Sequence, residues 1–142
     1  MPVLFLPGDV FADRRPDPVL QQIEDFTDGT VSANDCFKPV TRYFDRITRP
    51  EQLLKALPKT MSIFCDPAMT GPVCLSLCQD VQAEAYEFPV VFFTPKIWEI
   101  PRPRGDAAML AAASEKLAAA NRPLLIAGGG VRYSGAQSRL AA

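Results

Sequence analysis

The chain has 142 residues, of which 48% are hydrophobic, and this is enough to build the core of one domain of ordinary size. Its 15 basic residues nearly balance its 16 acidic ones, so it lacks the basic field that attracts nucleic acid. It contains no histidine, which excludes zinc sites with mixed Cys and His ligands and catalytic triads that need an imidazole. No apolar run approaches the roughly 20 residues of a membrane span and no signal-peptide pattern is present, so we expect a cytoplasmic protein without a membrane partner.

A strand followed by a helix is predicted at the start of the chain. Residues 3–6 form a continuous apolar run that ends before Gly8, a pattern typical of a strand buried on both faces of a parallel sheet. Asp17 can cap a short helix that has Pro18 in its first turn. The apolar side of this helix would consist of Val19, Leu20, Ile23 and Phe26.

The middle of the chain predicts one further helix and one further strand. Residues 30–42 are irregular and polar, with residues 39–41 as a candidate short strand. A helical stripe of apolar residues follows Pro50, and we expect Pro58 to kink this helix or to end its first half. Residues 73–77 form a second strongly apolar run and are predicted to be a buried strand.

A proline-rich stretch over residues 89–104 has no clear periodicity and is predicted to be a linker. After it, Asp106 should cap an alanine-rich helix, and residues 123–127 should form a strand that ends at the glycine triplet 128–130. Residues 134–142 resemble the first turns of another helix. The predicted class is therefore α/β with parallel sheet, but these units do not complete two sheets, so we expect a fragment of a larger protein.

Few residues carry an obvious chemical signal. The glycine triplet 128–130 could cradle a phosphate, but the full dinucleotide-binding fingerprint is absent and a tight turn is favoured. The four cysteines have no CxxC spacing, and we expect reduced, buried, structural thiols. Solvated surface is also the favoured interpretation of two charged stretches. They consist of Asp9, Asp13, Arg14, Arg15 and Asp17, and of Lys38, Arg42, Arg46 and Arg49.

Two glutamines stand out by their position in the predicted elements. Gln21 and Gln79 each lie at the end of an α/β element, where the open edge of such sheets binds ligands. An amide can orient a substrate without ionising. From the residues alone, either glutamine could equally be a capping or surface residue.

The stretches SANDCFKPVTRYFDR (residues 32–46), QDVQAEAY (79–86) and RPLLIAGGGVRYSGA (122–136) carry a family resemblance. They resemble the trihydroxycyclohexane-dione hydrolases of myo-inositol catabolism, which are acetohydroxyacid-synthase-like thiamine diphosphate enzymes. The resemblance implies that residues 1–88 are the later part of a pyrimidine-binding domain. It implies that 89–104 are a linker and that 105–142 are the start of a Rossmann-like central domain.

The resemblance also implies candidate residues for a substrate channel. Leu20 and Gln21 match a Phe-Gln pair that lines the channel in acetohydroxyacid synthases, and Arg42 matches a basic residue after a short strand. Gln79 stands where those synthases have a lysine, which fits a neutral cyclic dione better than a carboxylate substrate. Cys78 replaces the family's usual proline, so the direction in which Gln79 points stays open.

For the full-length parent enzyme, the resemblance implies thiamine diphosphate and Mg²⁺ as cofactors and a homo-oligomeric state. The groups that activate and anchor the cofactor would lie outside this chain. We therefore expect no catalytic or metal-binding residue here, no tight cofactor binding and no activity of the chain alone. Two alternatives stay open: an acetolactate synthase or decarboxylase, and a non-catalytic remnant that pairs with an intact subunit.

Overall fold

The computed structural model describes residues 1–13, 15 and 27–141. The described part divides into two compact units, Met1–Glu99 and Ile100–Ala142. The boundary falls inside the proline-rich stretch, while the assignment of the units to two enzyme domains stays a prediction. The helix expected after Asp17 lies outside the described residues. Within the described part, no helix combines the length and the hydropathy that crossing a membrane requires.

The first unit is built on a parallel sheet, which confirms the predicted α/β class. Its strands are β1 (Val3–Phe5), β2 (Gly8–Asp9), β3 (Tyr43–Ile47) and β4 (Pro72–Cys78). β4 lies in the centre, with β1 and β2 along one side and β3 along the other, and every pairing is parallel. The carboxyl ends of β2, β3 and β4 therefore meet at one edge of the sheet.

β1 and β2 act as one interrupted strand against β4. Leu4 lies opposite Val73 in the first half of β4, and Asp9 lies opposite Cys78 in the second half. Between the two strands, the Leu77 N–H donates to the carbonyl of Pro7 at 2.9 Å and continues the ladder. The predicted strands at residues 3–6 and 73–77 are confirmed as β1 and β4, but the expected burial of the first on both faces is wrong, since Phe5 is 42% exposed.

The candidate strand at residues 39–41 is wrong. Pro39 and Val40 belong to a 3-10 helix, Ala33–Val40, whose first turn is closed by a capping box between Ser32 and Asp35. The strand begins three residues later as β3, where the charged pair Asp45 and Arg46 concealed the pattern of a half-buried strand.

A helix covers the sheet and closes the core. The 3-10 turn Pro50–Gln52 leads into α1 (Leu53–Cys65), which continues through Pro58 instead of ending there. Pro58 is exposed, so the carbonyl that loses its partner can be hydrated. Short 3-10 turns follow β4 at Val81–Ala83 and Val90–Phe93. The buried core consists of Ile47, Ala56, Ile63, Val73, Leu75, Cys78 and Val81.

The second unit is mainly helical. α2 (Ala107–Ala119) begins as predicted, with the Asp106 carboxylate accepting the Met109 N–H at 3.0 Å. The strand predicted at residues 123–127 is wrong: this segment is irregular, and its Ile126 is 90% exposed. A strand is held by hydrogen bonds to a neighbour, and no strand is assigned in the described residues of this unit.

The end of the second unit also differs from the prediction. The glycine triplet does not end a strand; α3 (Gly129–Tyr133) begins within it. Gly135 then adopts a φ of 68°, and a short α4 (Gln137–Leu140) follows where one continuing helix was expected. A position with positive φ favours glycine, because glycine has no Cβ atom to clash with the backbone. This backbone conformation interrupts the helix at Gly135.

Truncation of Val73 in the central strand should destabilise the first unit. Val73 has no exposed surface, so Val73→Ala removes two buried methyl groups and leaves a cavity, at a cost of about 2 kcal/mol. Val40 is 65% exposed, and Val40→Ala should cost less than about 0.5 kcal/mol. Urea unfolding of both variants measures the difference. Equal losses would contradict the assignment of β4 to the centre of the sheet.

Candidate functional site at the carboxyl ends of the strands

A polar cluster lies where the strands of the parallel sheet end, the edge at which such sheets bind ligands. We call this cluster the strand-end network. It joins residues from β2, β3, β4 and the 3-10 helix after residue 32. Its members are Asp9, Ser32, Asn34, Asp35, Arg46 and Ser76.

The centre of the network is a buried ion pair. Asp9 is fully buried, and its Oδ2 accepts a hydrogen bond from Arg46 Nε at 2.8 Å. The same oxygen accepts a short hydrogen bond from the Ser76 hydroxyl, and Oδ1 accepts the Val10 N–H at 2.8 Å. Asn34 Nδ2 donates to Ser76 Oγ at 2.7 Å and to the Gly8 carbonyl at 2.6 Å. β2, β3 and β4 are thereby tied together at one point.

Three further donors of the Arg46 guanidinium are also engaged. Nη2 donates to Ser32 Oγ and to Asp35 Oδ1, both at 2.7 Å, and Nη1 donates to the Thr30 carbonyl at 3.3 Å. Asp35 accepts in addition from Lys38 Nζ at 3.0 Å. Four of the five N–H donors of the guanidinium are thus used within the protein, so the group is held in place by several partners.

The electrostatics keep this network charged at neutral pH. Burial raises the pKa of Asp9, but hydrogen bonds from Arg46, Ser32, Ser76 and the Val10 N–H outweigh it and hold that pKa below its usual range. Burial lowers the pKa of Arg46, and the two carboxylates it contacts raise it further than burial lowers it. Neither group can exchange a proton near pH 7, so neither fits a general acid or base.

The interpretation of these charges as solvated surface is wrong for Asp9 and Arg46. In the part of the chain that the structure describes, every buried polar side-chain atom has a hydrogen-bond partner. A buried ion pair with all its hydrogen bonds made is an architectural element. The network therefore shapes this edge of the sheet without offering a general acid or base.

A second carboxylate, Asp80, holds the loop that follows β2. Its two oxygens accept the N–H groups of Ala12 and Asp13, each at 2.8 Å, and Oδ1 also accepts the Val81 N–H at 3.0 Å. Burial raises the pKa of Asp80, and these backbone donors outweigh it, so the pKa lies below its usual value. Asp80 is ionised at neutral pH and anchors the loop from 68 residues away.

The thiols are free, and the buried ones are unreactive. Cys74 and Cys78 are buried as predicted, whereas Cys36 is exposed and Cys65 is half-buried, which differs from the prediction. Burial is the main cause that raises the pKa of Cys74, and it raises the pKa of Cys78 to about 11. A thiol with such a pKa stays protonated and is a poor nucleophile.

The residues predicted to line a channel are distributed as follows. Leu20 and Gln21 lie outside the described residues. Gln79 is exposed directly after β4, and its backbone N–H donates to the Asp9 carbonyl at 3.2 Å. Arg42 is exposed at the opposite end of the sheet, where its N–H donates to the Pro72 carbonyl at 2.7 Å.

The structure does not bring Arg42 and Gln79 together. Pro72 and Gln79 are seven residues apart along β4, which corresponds to roughly 23 Å of strand. Of these two residues, only Gln79 lies at the edge where parallel sheets bind ligands. The backbone of Gln79 is held by its hydrogen bond to the Asp9 carbonyl, and the role of its side chain stays a prediction.

Sequence reasoning missed Asp9, Arg46 and Asp80 as the groups that organise this edge. Asp9 and Asp80 each follow an apolar strand closely, and this position was the available signal. Their partners are 37 and 68 residues away, so the pairings have no local pattern. Arg46 was hidden in a stretch whose charges appeared to cancel.

Two further features of the described residues concern metal ions and the glycine triplet. They include no group of three or more His, Cys, Asp or Glu that could hold a metal ion. A Cβ atom added at Gly128, Gly129 or Gly130 would meet no atom within 4 Å, so the triplet is not required for close backbone packing. The described part thus presents a fixed sheet edge with an exposed amide.

The comparisons with known proteins agree with this architecture. No family model matches the chain. The sequence is similar to curated enzymes that catalyse hydrolysis of a cyclic dione, and the predicted resemblance is confirmed. These relatives are named 3D-(3,5/4)-trihydroxycyclohexane-1,2-dione hydrolase.

The similarity covers nearly all of this chain and a smaller part of each relative. The Clostridium perfringens strain 13 enzyme is 49% identical over 140 residues, and the Bacillus cereus strain AH820 enzyme is 50% identical over 140 residues. Each match covers 99% of this chain. The Bacillus velezensis enzyme is 45% identical over 142 residues, which is 100% of this chain. The chain spans 22% of the length of these relatives.

Removal of the Arg46 guanidinium should destabilise the first unit strongly. Arg46→Ala leaves the buried Asp9 carboxylate without its cation, which costs about 3–5 kcal/mol. Arg49 is a matched control because its side chain is 76% exposed and its ion pair with Glu51 is long, at 3.9 Å. Arg49→Ala should cost less than about 1 kcal/mol. If urea unfolding gave the same loss for both, the Asp9 and Arg46 pair would have no special role.

Proposed function

We propose that the parent of this chain is a thiamine-diphosphate-dependent hydrolase that opens the ring of 3D-(3,5/4)-trihydroxycyclohexane-1,2-dione by cleaving a C–C bond in inositol catabolism. The observation that carries this proposal is 45–50% identity, over 99–100% of the chain, to hydrolases named for that substrate. In this proposal the parent is a cytoplasmic homo-oligomer. Its partner is the small cyclic dione and not nucleic acid or a membrane.

The part played by this chain is to build one wall of the substrate channel. The strand-end network fixes the carboxyl edge of the sheet, and Gln79 presents a neutral amide there. An amide donates and accepts hydrogen bonds without charge, which suits the hydroxyl and carbonyl groups of a polyol dione. Arg42, at the opposite end of β4, is not part of that wall, and Leu20 and Gln21 remain candidates by resemblance.

The described residues do not fit thiamine diphosphate with its metal. The carboxylates at the carboxyl edge are occupied by Arg46 or by backbone N–H groups, and no group of metal-ligating side chains is formed in the described ranges. We therefore place the binding of the diphosphate and of Mg²⁺ in polypeptide other than these residues. The chain alone should have no turnover, and no step of the reaction is assigned to a group within it.

A chimera tests the proposal. This chain would replace the matching segment of the Clostridium perfringens hydrolase, and ring opening of the dione would be measured with thiamine diphosphate and Mg²⁺ present. We expect the chimera to retain at least about a tenth of the relative's kcat/KM, because a segment of this similarity should preserve the wall of the channel. The isolated chain, shown to be folded by circular dichroism, should give no product.

Two results would contradict the proposal. Ring opening by the isolated chain would show that these residues suffice for catalysis. A folded chimera that is inactive on the dione but converts pyruvate to acetolactate would support the synthase alternative instead.

Gln79→Lys in the chimera serves as a further control. It introduces the cation that the synthases resembled here carry at this position, so it should lower kcat/KM for the dione.

A further inference from the structure

The loop after β2, residues 10–13, is fixed at both of its ends. At its start, the Val10 N–H donates to Asp9 Oδ1 at 2.8 Å, so the loop leaves directly from the buried ion pair. At its far end, the N–H groups of Ala12 and Asp13 converge on the two oxygens of Asp80. Ala12 also packs against the hydrophobic core. The loop therefore has little freedom to move relative to the end of β4.

Asp80 is well placed to define this geometry because it is itself immobilised. Its neighbour Gln79 is held by the hydrogen bond from its N–H to the Asp9 carbonyl. Asp80 itself caps the 3-10 turn Val81–Ala83 by accepting the Val81 N–H. Three backbone donors thus meet one ionised carboxylate. Hydrogen bonds to charged acceptors are about twice as strong as those between neutral groups. The loop and the end of β4 behave as one rigid edge.

From this geometry we propose that Asp80 is a positioning residue for the substrate wall: it locks residues 10–13 beside Gln79, so that two segments distant in sequence form one preorganised surface. The inference rests on the proposed function, in which Gln79 faces the dione. Asp80 acts through the loop and through the backbone beside Gln79. Displacement of a binding group by about 1 Å is enough to impair an enzyme even when the changed residue is remote.

Backbone amide exchange on the 142-residue chain tests the lock without any need for activity. Asp80→Asn keeps the shape of the side chain but replaces one acceptor oxygen by an NH₂ group that faces a backbone N–H. We expect exchange at Ala12 and Asp13 to rise at least about tenfold, with β3 unchanged. Unchanged protection at both amides, or a uniform rise across all the strands, would overturn the proposal.

Asp66 provides the matched control. Its Oδ1 also accepts two backbone N–H groups, from Ala68 at 2.8 Å and Met69 at 3.4 Å, but it lies before β4, at the opposite end of that strand. Asp66→Asn should therefore affect its own turn and leave the exchange of Ala12 and Asp13 as in the wild type. Faster exchange of those two amides in both variants would mean that any lost carboxylate cap has the same effect, and would overturn the proposal.

Kinetics of the chimera test whether the lock serves binding. Asp80→Asn should raise KM for the dione about tenfold and leave kcat within about threefold, and Asp80→Ala, which loses both acceptors, should raise KM further. Asp66→Asn should leave KM unchanged. A KM for Asp80→Asn equal to that of the parent chimera would show that Asp80 has only a structural role, and would overturn the inference.

Inactivity of the parent chimera itself would refute the proposed function. The amide exchange result would still decide whether Asp80 locks the loop.

Discussion

The buried ion pair between Asp9 and Arg46 is the constraint on which the carboxyl edge of the sheet depends. Burial of a carboxylate costs several kcal/mol unless a cation and further donors compensate for the lost water. Here the cation comes from β3 and a hydroxyl donor comes from Ser76 in β4. Because Arg46 lies opposite Ser76 in the pairing of these strands, a slip of one residue would turn the guanidinium to the other face. The pair thus fixes register as well as position.

This constraint organises the surface to which a functional role is assigned. The Asp9 backbone receives the N–H of Gln79, its carboxylate receives the N–H that starts the next loop, and Asp80 holds the far end of that loop. The charged groups of the strand-end network are paired with one another, and Gln79 is exposed beside them, directly after β4. That distribution is compatible with a wall that orients an uncharged substrate. It is also compatible with the similarity to hydrolases of a cyclic dione.

The parts of the fold that were predictable are those determined by local pattern. The apolar runs at residues 3–6 and 73–77 predict strands, and Asp106 is a strong helix cap before an alanine-rich segment. β3 was missed because Arg46 in its sequence is accommodated by partners that lie 11 to 37 residues away. The segment 123–127 has the composition of a strand, but a strand also needs a neighbour to pair with. Gln79 is a candidate from its position and from the resemblance, whereas the bonds that Asp9 and Asp80 make around it span distant parts of the sequence.

A double-mutant cycle on Asp9 and Arg46 tests the central claim most directly. Asp9→Asn, Arg46→Met and the double variant would be unfolded in urea at pH 7, and the coupling free energy calculated from the four unfolding free energies. We expect the double variant to be more stable than the sum of the single losses predicts, by at least about 2 kcal/mol, because each single change leaves one buried group uncompensated. A coupling close to zero would show that the two side chains contribute independently and that the carboxyl edge is held by something other than their ion pair.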